Sequence, residues 1–245
     1  MATGTQSIRE IIAQQSSAAA ILQRFELDLC GLAEMPLEQA CAEMQLSVDQ
    51  VLERLSDGEA SERGDGTPDP LQMSTARLIQ HIVRVHHSKV RREIPGLAAM
   101  AQKLAEKRGD QASELKKVSE LVATLRDELL AHIEKEEQIL FPYVMRLEEQ
   151  IDFGGAAEHV CFRSVAQPIA MMMREHDQAN IIFIELRQLT DNFALPDWAC
   201  TTHKALFAGL QAFEQDLCRH VYLEDEILFP RAIALEAKPE YRRER

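Results

Sequence analysis

The 245-residue sequence lacks several features that would place it in common functional classes. Its basic residues are too few to balance the acidic ones: 27 Lys and Arg stand against 40 Asp and Glu, for a net charge of −13. Such a surface repels phosphate, so the composition argues against binding of nucleic acid or of an anionic membrane. No segment approaches the ~18 uninterrupted apolar residues of a membrane-spanning helix.

Paired cysteines and strand signals are also missing. The five cysteines are odd in number and show no C-x-x-C spacing, so we expect no disulfide framework and a reducing compartment. The N-terminal stretch has no basic segment followed by a long apolar run, so we expect no signal peptide and a cytoplasmic location. There is no strand-like alternation and no glycine-rich phosphate loop. The remaining pattern predicts an all-α fold.

What the sequence does contain is an eleven-residue stretch that occurs twice. Residues 132–142 read HIEKEEQILFP, and residues 220–230 read HVYLEDEILFP. In each copy a His is followed four residues later by a Glu, and residues i and i+4 lie on one face of a helix. The two copies, 88 positions apart, therefore each direct an imidazole and a carboxylate toward one place.

The duplication extends to the helices that precede these stretches. His87 lies 45 residues before His132, and His176 lies 44 before His220. An ordinary polar pair on a solvated helix face would explain one His–Glu pair, but the repeat favours metal binding. Four imidazoles and two carboxylates suit iron, manganese or zinc, and two shared carboxylates suit a dinuclear centre in a helix bundle. The six candidate metal ligands are His87, His132, Glu136, His176, His220 and Glu224.

Two acidic neighbours are alternative or accessory candidates. Asp225 is the main rival of Glu224, because it lies five residues after His220 and that spacing still reaches a metal. The repeat symmetry favours Glu224. Glu175 directly precedes His176, so we expect it to lie beside the ligands or to line a path to the metals.

The other histidines fit the repeat less well. His86 and His87 are adjacent and point about 100° apart on an α-helix, so we expect only His87 to face the core. His86 would then lie beside the ligands or face solvent. His81 and His203 have no partner in the repeat and are expected to be structural or surface residues. His159 remains an ambiguous candidate ligand.

The chain is predicted to contain two domains and a connection. Residues 1–57 form a small helical N-terminal domain, with Ser7 capping a helix over residues 8–24. Residues 58–70 are rich in Gly, Pro and acidic residues and form a linker. Residues 71–245 form a four-helix bundle. Its helices are expected at about 74–107, 113–149, 163–191 and 197–236, with bends at Pro95, Pro142 and Pro230. The expected core positions of the first helix are Leu78, Ile82, Val85, Ile94 and Leu97.

Three segments resemble hemerythrin-like domains: HIVRVHHSKVRREIP at 81–95, the two H-x-x-x-E…L-F-P stretches, and REHD at 174–177. The resemblance is closest to the Repair of Iron Centres family (the YtfE, ScdA and DnrN group). The stretch RFELDLCG at 24–31 is similar to the start of that group's small N-terminal domain. This resemblance implies an antiparallel four-helix bundle that holds two non-heme iron ions, oxo- or hydroxo-bridged, on the six ligands named above.

The resemblance also implies a function. Members of this family repair iron–sulfur clusters damaged by nitrosative or oxidative stress, by delivering iron or by handling nitric oxide at the di-iron centre. The implied partners are damaged iron–sulfur proteins and nitric oxide or another small redox molecule, and a homodimer through residues 1–57 is a further expectation. Cys30 is retained from the family's N-terminal motif, but Gly31 replaces its second Cys. Arg108 and Gly109 stand where members often have His-Gly. Cys30 and Glu175 are candidate accessory residues for activity, and no catalytic residue is assigned.

Two other functions remain open. The first is a hemerythrin-like protein that binds oxygen or senses iron or oxygen, without repair activity. Such proteins usually have a fifth His four residues after the third-helix ligand, and here Asn180 occupies that position. The second is an iron-responsive regulatory module in which residues 1–57 bind the partner.

Overall fold

The computed structural model describes residues 2–15, 18–25, 27, 32, 35–58, 72–110, 112–153, 162 and 164–238. Within these residues the regular secondary structure is entirely helical, apart from one isolated β-bridge between Ser7 and Pro36. The predicted all-α class is confirmed. The chain divides into two compact units, Met1–Met73 and Ser74–Arg245. Apart from residue 58, the proposed linker 58–70 lies outside the described residues.

The first unit contains four short helices. They are α1 (Ile8–Gln14), α2 (Ala18–Arg24), α3 (Leu37–Glu43) and α4 (Val48–Gly58). Ser7 caps α1 as predicted: the Glu10 backbone N–H donates to the Ser7 hydroxyl at 3.2 Å, and the Ser7 N–H donates to the Glu10 carboxylate at 2.9 Å. The single helix expected over residues 8–24 is wrong, because α1 ends at Gln14 and α2 begins at Ala18.

The second unit is the four-helix bundle, and three of its four long helices contain a π-helical turn. The first comprises α5 (Thr75–Ile82), a π turn (Val83–His87) and α6 (Ser88–Arg108). The second comprises α7 (Glu114–Lys135), a π turn (Glu136–Leu140) and α8 (Phe141–Phe153). The third is α9 (Ala166–Thr190). The fourth comprises α10 (Thr201–Tyr222), a π turn (Leu223–Leu228) and α11 (Phe229–Ala237).

Two of these π turns have a sequence cause in the repeated Leu-Phe-Pro. Phe141 donates its backbone N–H to the carbonyl of Glu136, five residues back. The next residue, Pro142, has no N–H, and its ring crowds the carbonyl four residues earlier. A π turn relieves that crowding by widening the helix locally. Phe229 and Pro230 repeat the arrangement in the fourth helix. The expected perturbations at these two prolines therefore take the form of π turns, whereas Pro95 lies inside the uninterrupted α6.

Below the π turns the helices enclose an apolar core. Helix α6 packs on α7 and α10, and α7 packs on α9. At Gly209 a Cβ atom would lie 2.6 Å from Leu97 Cδ2, so the glycine permits the close approach of α10 to α6. An ion pair joins α9 to α10, with Arg187 Nε donating to Glu214 at 2.9 Å. We call the following residues the apolar core: Val90, Ile94, Leu97, Leu104, Leu115, Val118, Val122, Leu125, Leu129, Ile182, Phe183, Leu186, Leu206, Phe207, Leu210, Phe213 and Leu217.

The far end of this core is closed by an unusual turn and an aromatic cluster. Asp191, Asn192 and Phe193 follow α9 with φ of 49°, 55° and 61°, a run of left-handed residues without glycine. The Phe193 N–H donates to the Thr190 hydroxyl at 3.0 Å, and the Phe193 ring is buried. Trp198 contacts the buried His203, with ring centroids 5.4 Å apart. His203 is therefore a structural residue, as expected.

The sequence repeat also fixes the starts of two bundle helices. Glu148, near the end of α8, accepts the backbone N–H groups of Thr75 and Ala76 at 2.9 Å each. Glu236, 88 positions later in α11, accepts the N–H of Val165 at 2.9 Å. A carboxylate at a helix N-terminus satisfies free N–H groups and complements the helix dipole. Each half of the bundle is thus tied by a carboxylate from its second helix to the start of its first.

Candidate metal centre

All six candidate ligands converge in the interior of the bundle. They form two sets of four in which each residue offers one ligand atom and all four atoms lie within 4.8 Å of one another. One set is His87, Glu136, His220 and Glu224, and the other is His132, Glu136, His176 and Glu224. All six are buried, and both glutamates have no exposed surface. Because Glu136 and Glu224 belong to both sets, the arrangement has the form of two adjacent cation positions joined by two carboxylates.

The ring nitrogens face one another in pairs. Nε2 of His87 lies 3.1 Å from Nε2 of His220, and Nε2 of His132 lies 3.0 Å from Nε2 of His176. Glu224 reaches both pairs, with one carboxylate oxygen 2.9 Å from His220 Nε2 and the other 3.2 Å from His176 Nε2. A carboxylate oxygen of Glu136 lies 3.4 Å from Nε2 of His87 and of His132.

Three of these rings are held from behind by a carboxylate. Nδ1 of His87 donates to Glu137 at 2.7 Å, and Nδ1 of His132 donates to Glu175 at 2.9 Å. His176 has the same arrangement with Asp225 at 2.9 Å. Since an ionised carboxylate only accepts, each Nδ1 carries the proton and leaves a lone pair on Nε2. Two lone pairs facing each other at about 3 Å repel unless a cation or a proton lies between them.

The buried charges point to the same conclusion. Within the described chain, neither oxygen of Glu136 and only one oxygen of Glu224 has a hydrogen-bond partner. Two adjacent carboxylates without solvent contact are costly unless positive charge compensates them. Imidazole nitrogen and carboxylate oxygen together are a donor set that iron, manganese and zinc accept. The residues present therefore fit a pair of such cations.

In the absence of a cation, protons take over part of this compensation. Burial alone would lower the pKa of His87, but the neighbouring carboxylates of Glu136 and Glu224 outweigh it and raise the pKa to about 10. Burial opposes the charge on His176 as well, but the hydrogen bond to Asp225 and the nearby carboxylate of Glu224 raise its pKa to about 10. For Glu224, burial favours the neutral acid, yet the surrounding imidazoles hold its pKa well below the usual range. The pocket is built to hold positive charge.

The structure assigns the acidic neighbours to positions behind the ligands. Asp225, the rival of Glu224, contacts His176 Nδ1 and belongs to neither set of four. Glu175 contacts His132 and forms an ion pair with Lys135. Glu137 contacts His87 and receives both guanidinium N–H groups of Arg91, at 2.8 and 3.0 Å. From the sequence Glu137 was noted only as a second acid of the repeat, without a role, although the 88-residue offset that pairs Glu136 with Glu224 also pairs Glu137 with Asp225.

The first helix contradicts the expectations that Val85 lies in the core and that only one of His86 and His87 does. Val85 is 38% exposed, whereas His86 is 1% exposed and lies beside the candidate ligand His220, one of the two places expected for it. Both errors have one cause: the π turn Val83–His87 holds more residues than an α turn, so adjacent His86 and His87 are both buried. The His86 ring stacks on His220 with centroids 5.7 Å apart, and its Nδ1 lies 3.3 Å from an oxygen of Asp216.

The remaining candidates lie away from the site or outside the description. His81 contacts the edge of the His86 ring at 5.8 Å between centroids. His159, Cys30 and Gly31 lie outside the described residues. Cys218 is disulfide-bonded, so the expectation of cysteines without disulfides is wrong at this position. In the part of the chain that the structure describes, no helix combines the length and apolar character needed to cross a bilayer.

Comparison with known proteins places the site in a family context. The family model described as Hemerythrin HHE cation binding domain matches residues 78–232, which include all six candidate ligands. The chain is similar to proteins named iron-sulfur cluster repair protein YtfE. It is 31% identical to the one from Enterobacter sp. (strain 638) over 238 residues, covering 96% of this chain and 100% of the relative. The proteins of Escherichia coli O81 (strain ED1a) and Escherichia fergusonii are each 32% identical over 237 residues, with the same coverage.

Proposed function

Because the chain belongs to the hemerythrin HHE cation-binding family and to the group of full-length YtfE relatives within it, we propose that it is a non-heme di-iron protein that repairs iron–sulfur clusters. The observation that carries the proposal is the pair of four-residue sets joined by Glu136 and Glu224. A single cation would need one such set. Two sets that share both carboxylates fit two ions.

In this proposal each residue has a defined task. His87 and His220 would hold one iron ion, His132 and His176 would hold the other, and Glu136 and Glu224 would contribute to both positions. Bound iron supplies redox chemistry and affinity for small molecules such as nitric oxide. Each set offers four side chains, so a bound iron ion would remain accessible to a small molecule or able to leave.

The network behind the ligands supports iron delivery. Glu137 and Glu175, which hold His87 and His132, are partly exposed and paired with Arg91 and Lys135 at the surface of the bundle. These polar side chains thus connect the buried histidines with solvent. Protons could reach the histidines along this network when an ion leaves. Iron delivery to damaged iron–sulfur proteins is the function we favour, with nitric oxide reduction at the same centre as the alternative chemistry.

The oxygen-binding alternative has less support. Asn180 occupies the place of the fifth His, and in the described chain the nearest additional imidazole, His86, directs Nδ1 to Asp216 and belongs to neither ligand set. A cytoplasmic location, nitric oxide as a ligand, Cys30 as an accessory residue and a homodimer through residues 1–57 stay predictions.

The test combines metal analysis with a repair assay. The protein is loaded anaerobically with ferrous iron, its metal content and absorption spectrum are measured, and it is then incubated with a nitric-oxide-damaged iron–sulfur enzyme. We expect about two irons per chain, in line with the two ligand sets, and recovery of the enzyme in proportion to iron lost from the protein. One zinc ion per chain, or two irons without any recovery, would refute the proposal. Reversible oxygen binding without recovery would establish the oxygen-binding alternative.

A further inference from the structure

The four ligand imidazoles are not held equally. Nδ1 of His87, His132 and His176 each contacts a carboxylate. Nδ1 of His220 is buried and has no hydrogen-bond partner within the described chain. The cation position formed by His87 and His220, which we call the first position, therefore has one anchored ring. The second position, formed by His132 and His176, has two.

The sequence repeat identifies the residue that makes the difference. In the second half of the bundle the residue before the ligand His176 is Glu175, and it reaches across to hold His132. The equivalent residue in the first half, immediately before His87, is His86. His86 reaches the equivalent ring, His220, but lies stacked on it with an 8° angle between the ring planes. A stacked imidazole supplies no carboxylate oxygen to Nδ1.

The carboxylate that contacts His86 belongs to Asp216, and both of its oxygens already have partners. Asp216 has one carboxylate oxygen 3.3 Å from His86 Nδ1 and the other 3.3 Å from Lys89 Nζ. His86 thus contacts both the ring of His220 and the carboxylate of Asp216. Compared with the second position, the first position lacks the carboxylate hydrogen bond to Nδ1 of one of its two rings, that of His220.

We propose that the two cation positions are unequal and that the ion at His87 and His220 is the one the protein releases first. This inference rests on the proposed di-iron function and names which ion is the cargo. A carboxylate behind a ligating imidazole fixes the ring orientation and strengthens the metal–nitrogen bond, and its loss typically weakens metal affinity about 10–100-fold. His86 acts as a positioning residue, because it affects the ion only through His220.

Release kinetics test the inequality directly. The protein, loaded with two ferrous ions, is mixed anaerobically with an excess of a colorimetric ferrous chelator. The expected result is two phases of one ion each, with rates about 10-fold or more apart. A His86→Glu variant places a glutamate before His87, as Glu175 stands before His176. In this variant the rate of the fast phase should fall toward that of the slow phase. In Glu175→Gln the slow phase should accelerate while the fast phase is unchanged.

A matched control separates hydrogen bonding from added charge. Val85→Glu places the same carboxylate on the exposed neighbour of His86, so both phases should remain as in the unaltered protein. Mössbauer spectra of the loaded protein give an independent readout. Two ferrous environments are expected, and they should become more alike in His86→Glu.

The outcomes distinguish this inference from the proposed function. If two ions bind but leave in one phase, or if Glu175→Gln accelerates the fast phase, the inequality is overturned while the di-iron function stands. If two ions do not bind at all, the di-iron function itself fails. Should His86→Glu fold poorly, Glu175→Gln alone decides, because it must affect only the slow phase.

Discussion

Two layers of the same bundle follow opposite rules. The apolar core consists of aliphatic side chains and phenylalanine rings that project from regular α-helices. The burial of these side chains stabilises the fold without a cofactor. The ligand layer above it buries two carboxylates and four imidazoles, groups that stabilise a protein only when their charges are compensated. The apolar core therefore supplies most of the stability of the fold, and the residues of the ligand layer are suited to binding a cation.

Backbone irregularity follows the same division. All three π turns in the described bundle contain or adjoin candidate ligands: His87, Glu136 and Glu224 each lie within one. The helices around the apolar core are regular. In the described bundle the less favourable geometry of the π turn therefore occurs where the candidate ligands lie.

The largest effect expected concerns the ligand layer. Glu136→Ala should reduce bound iron from about two ions per chain to nearly none. Glu136 belongs to both ligand sets, so its loss removes a negatively charged carboxylate from the surroundings of each ion. Metal analysis after desalting measures the change. Glu134→Ala, on the exposed side of the same helix, is the control and should keep its iron. Two ions retained in Glu136→Ala would refute the bridging role.

The converse effect concerns the apolar core. Phe213→Ala should lower the free energy of unfolding of the metal-free protein by about 3–5 kcal/mol, because it leaves a cavity among buried side chains. Iron content of the folded fraction should not change. Urea unfolding followed by circular dichroism measures the difference, with the exposed Ile184→Ala as control. Loss of iron in Phe213→Ala without loss of stability would break the separation between the two layers.

The two layers should also respond differently to pH. In the metal-free protein the pKa values of His87 and His176 are raised from 6.5 to about 10, so the folded state holds these protons more tightly than the unfolded chain. The stability they contribute is complete below pH 6.5 and is lost as the pH rises toward 10. The melting temperature of metal-free protein should therefore fall between about pH 6.5 and 8.5.

Iron-loaded protein should show the opposite trend in that range, because metal binding competes with protons for the imidazoles. Melting curves recorded side by side for metal-free and loaded protein at several pH values give the comparison. If both samples showed the same pH dependence, protonation of the ligand histidines would not be coupled to folding.

The smallest effect concerns the repeated caps, which belong to neither layer. Glu236→Gln should destabilise the protein by about 1 kcal/mol, because a neutral amide replaces the carboxylate that accepts the Val165 N–H at the start of α9. Glu148→Gln should cost a similar amount at α5. Thermal melts measure both, and Glu149→Gln on the exposed side of α8 serves as control. Loss of iron in either cap variant would mean that the caps position the ligands.

The sequence was most informative where it repeats. The duplication, with an offset of 88 residues for the two His–Glu pairs and 89 for His87 and His176, was enough to select the residues that the structure brings together, and it favoured Glu224 over Asp225 by symmetry. Helix extents followed from turn signals and apolar spacing, with ends displaced by a few residues. The 88-residue offset also relates Glu137 to Asp225 and Glu148 to Glu236, and these pairs become meaningful only when their partners across the bundle are known.

The errors near the candidate site arose where local geometry departs from the α-helical period. Assigning Val85 to the core and only one of His86 and His87 to the interior assumed 100° per residue. The π turn Val83–His87 breaks that assumption, and it is not followed directly by a Phe-Pro pair that could signal the irregularity, as the other two π turns are. The sequence spacing also could not show that His220 lacks a carboxylate behind its ring. That difference depends on which residue in one half of the bundle contacts a histidine ring in the other half.

Trp198, the only tryptophan, gives this molecule a built-in spectroscopic reporter. It lies just before α10, whereas the candidate ligand His220 lies near the end of that 22-residue helix, about 30 Å away along the axis. Tryptophan fluorescence will therefore register loosening of the aromatic cluster, while the visible absorption of iron at the proposed site would register the opposite end. Recorded together during heating, the two optical signals reveal whether the ends of one helix melt in concert or in sequence.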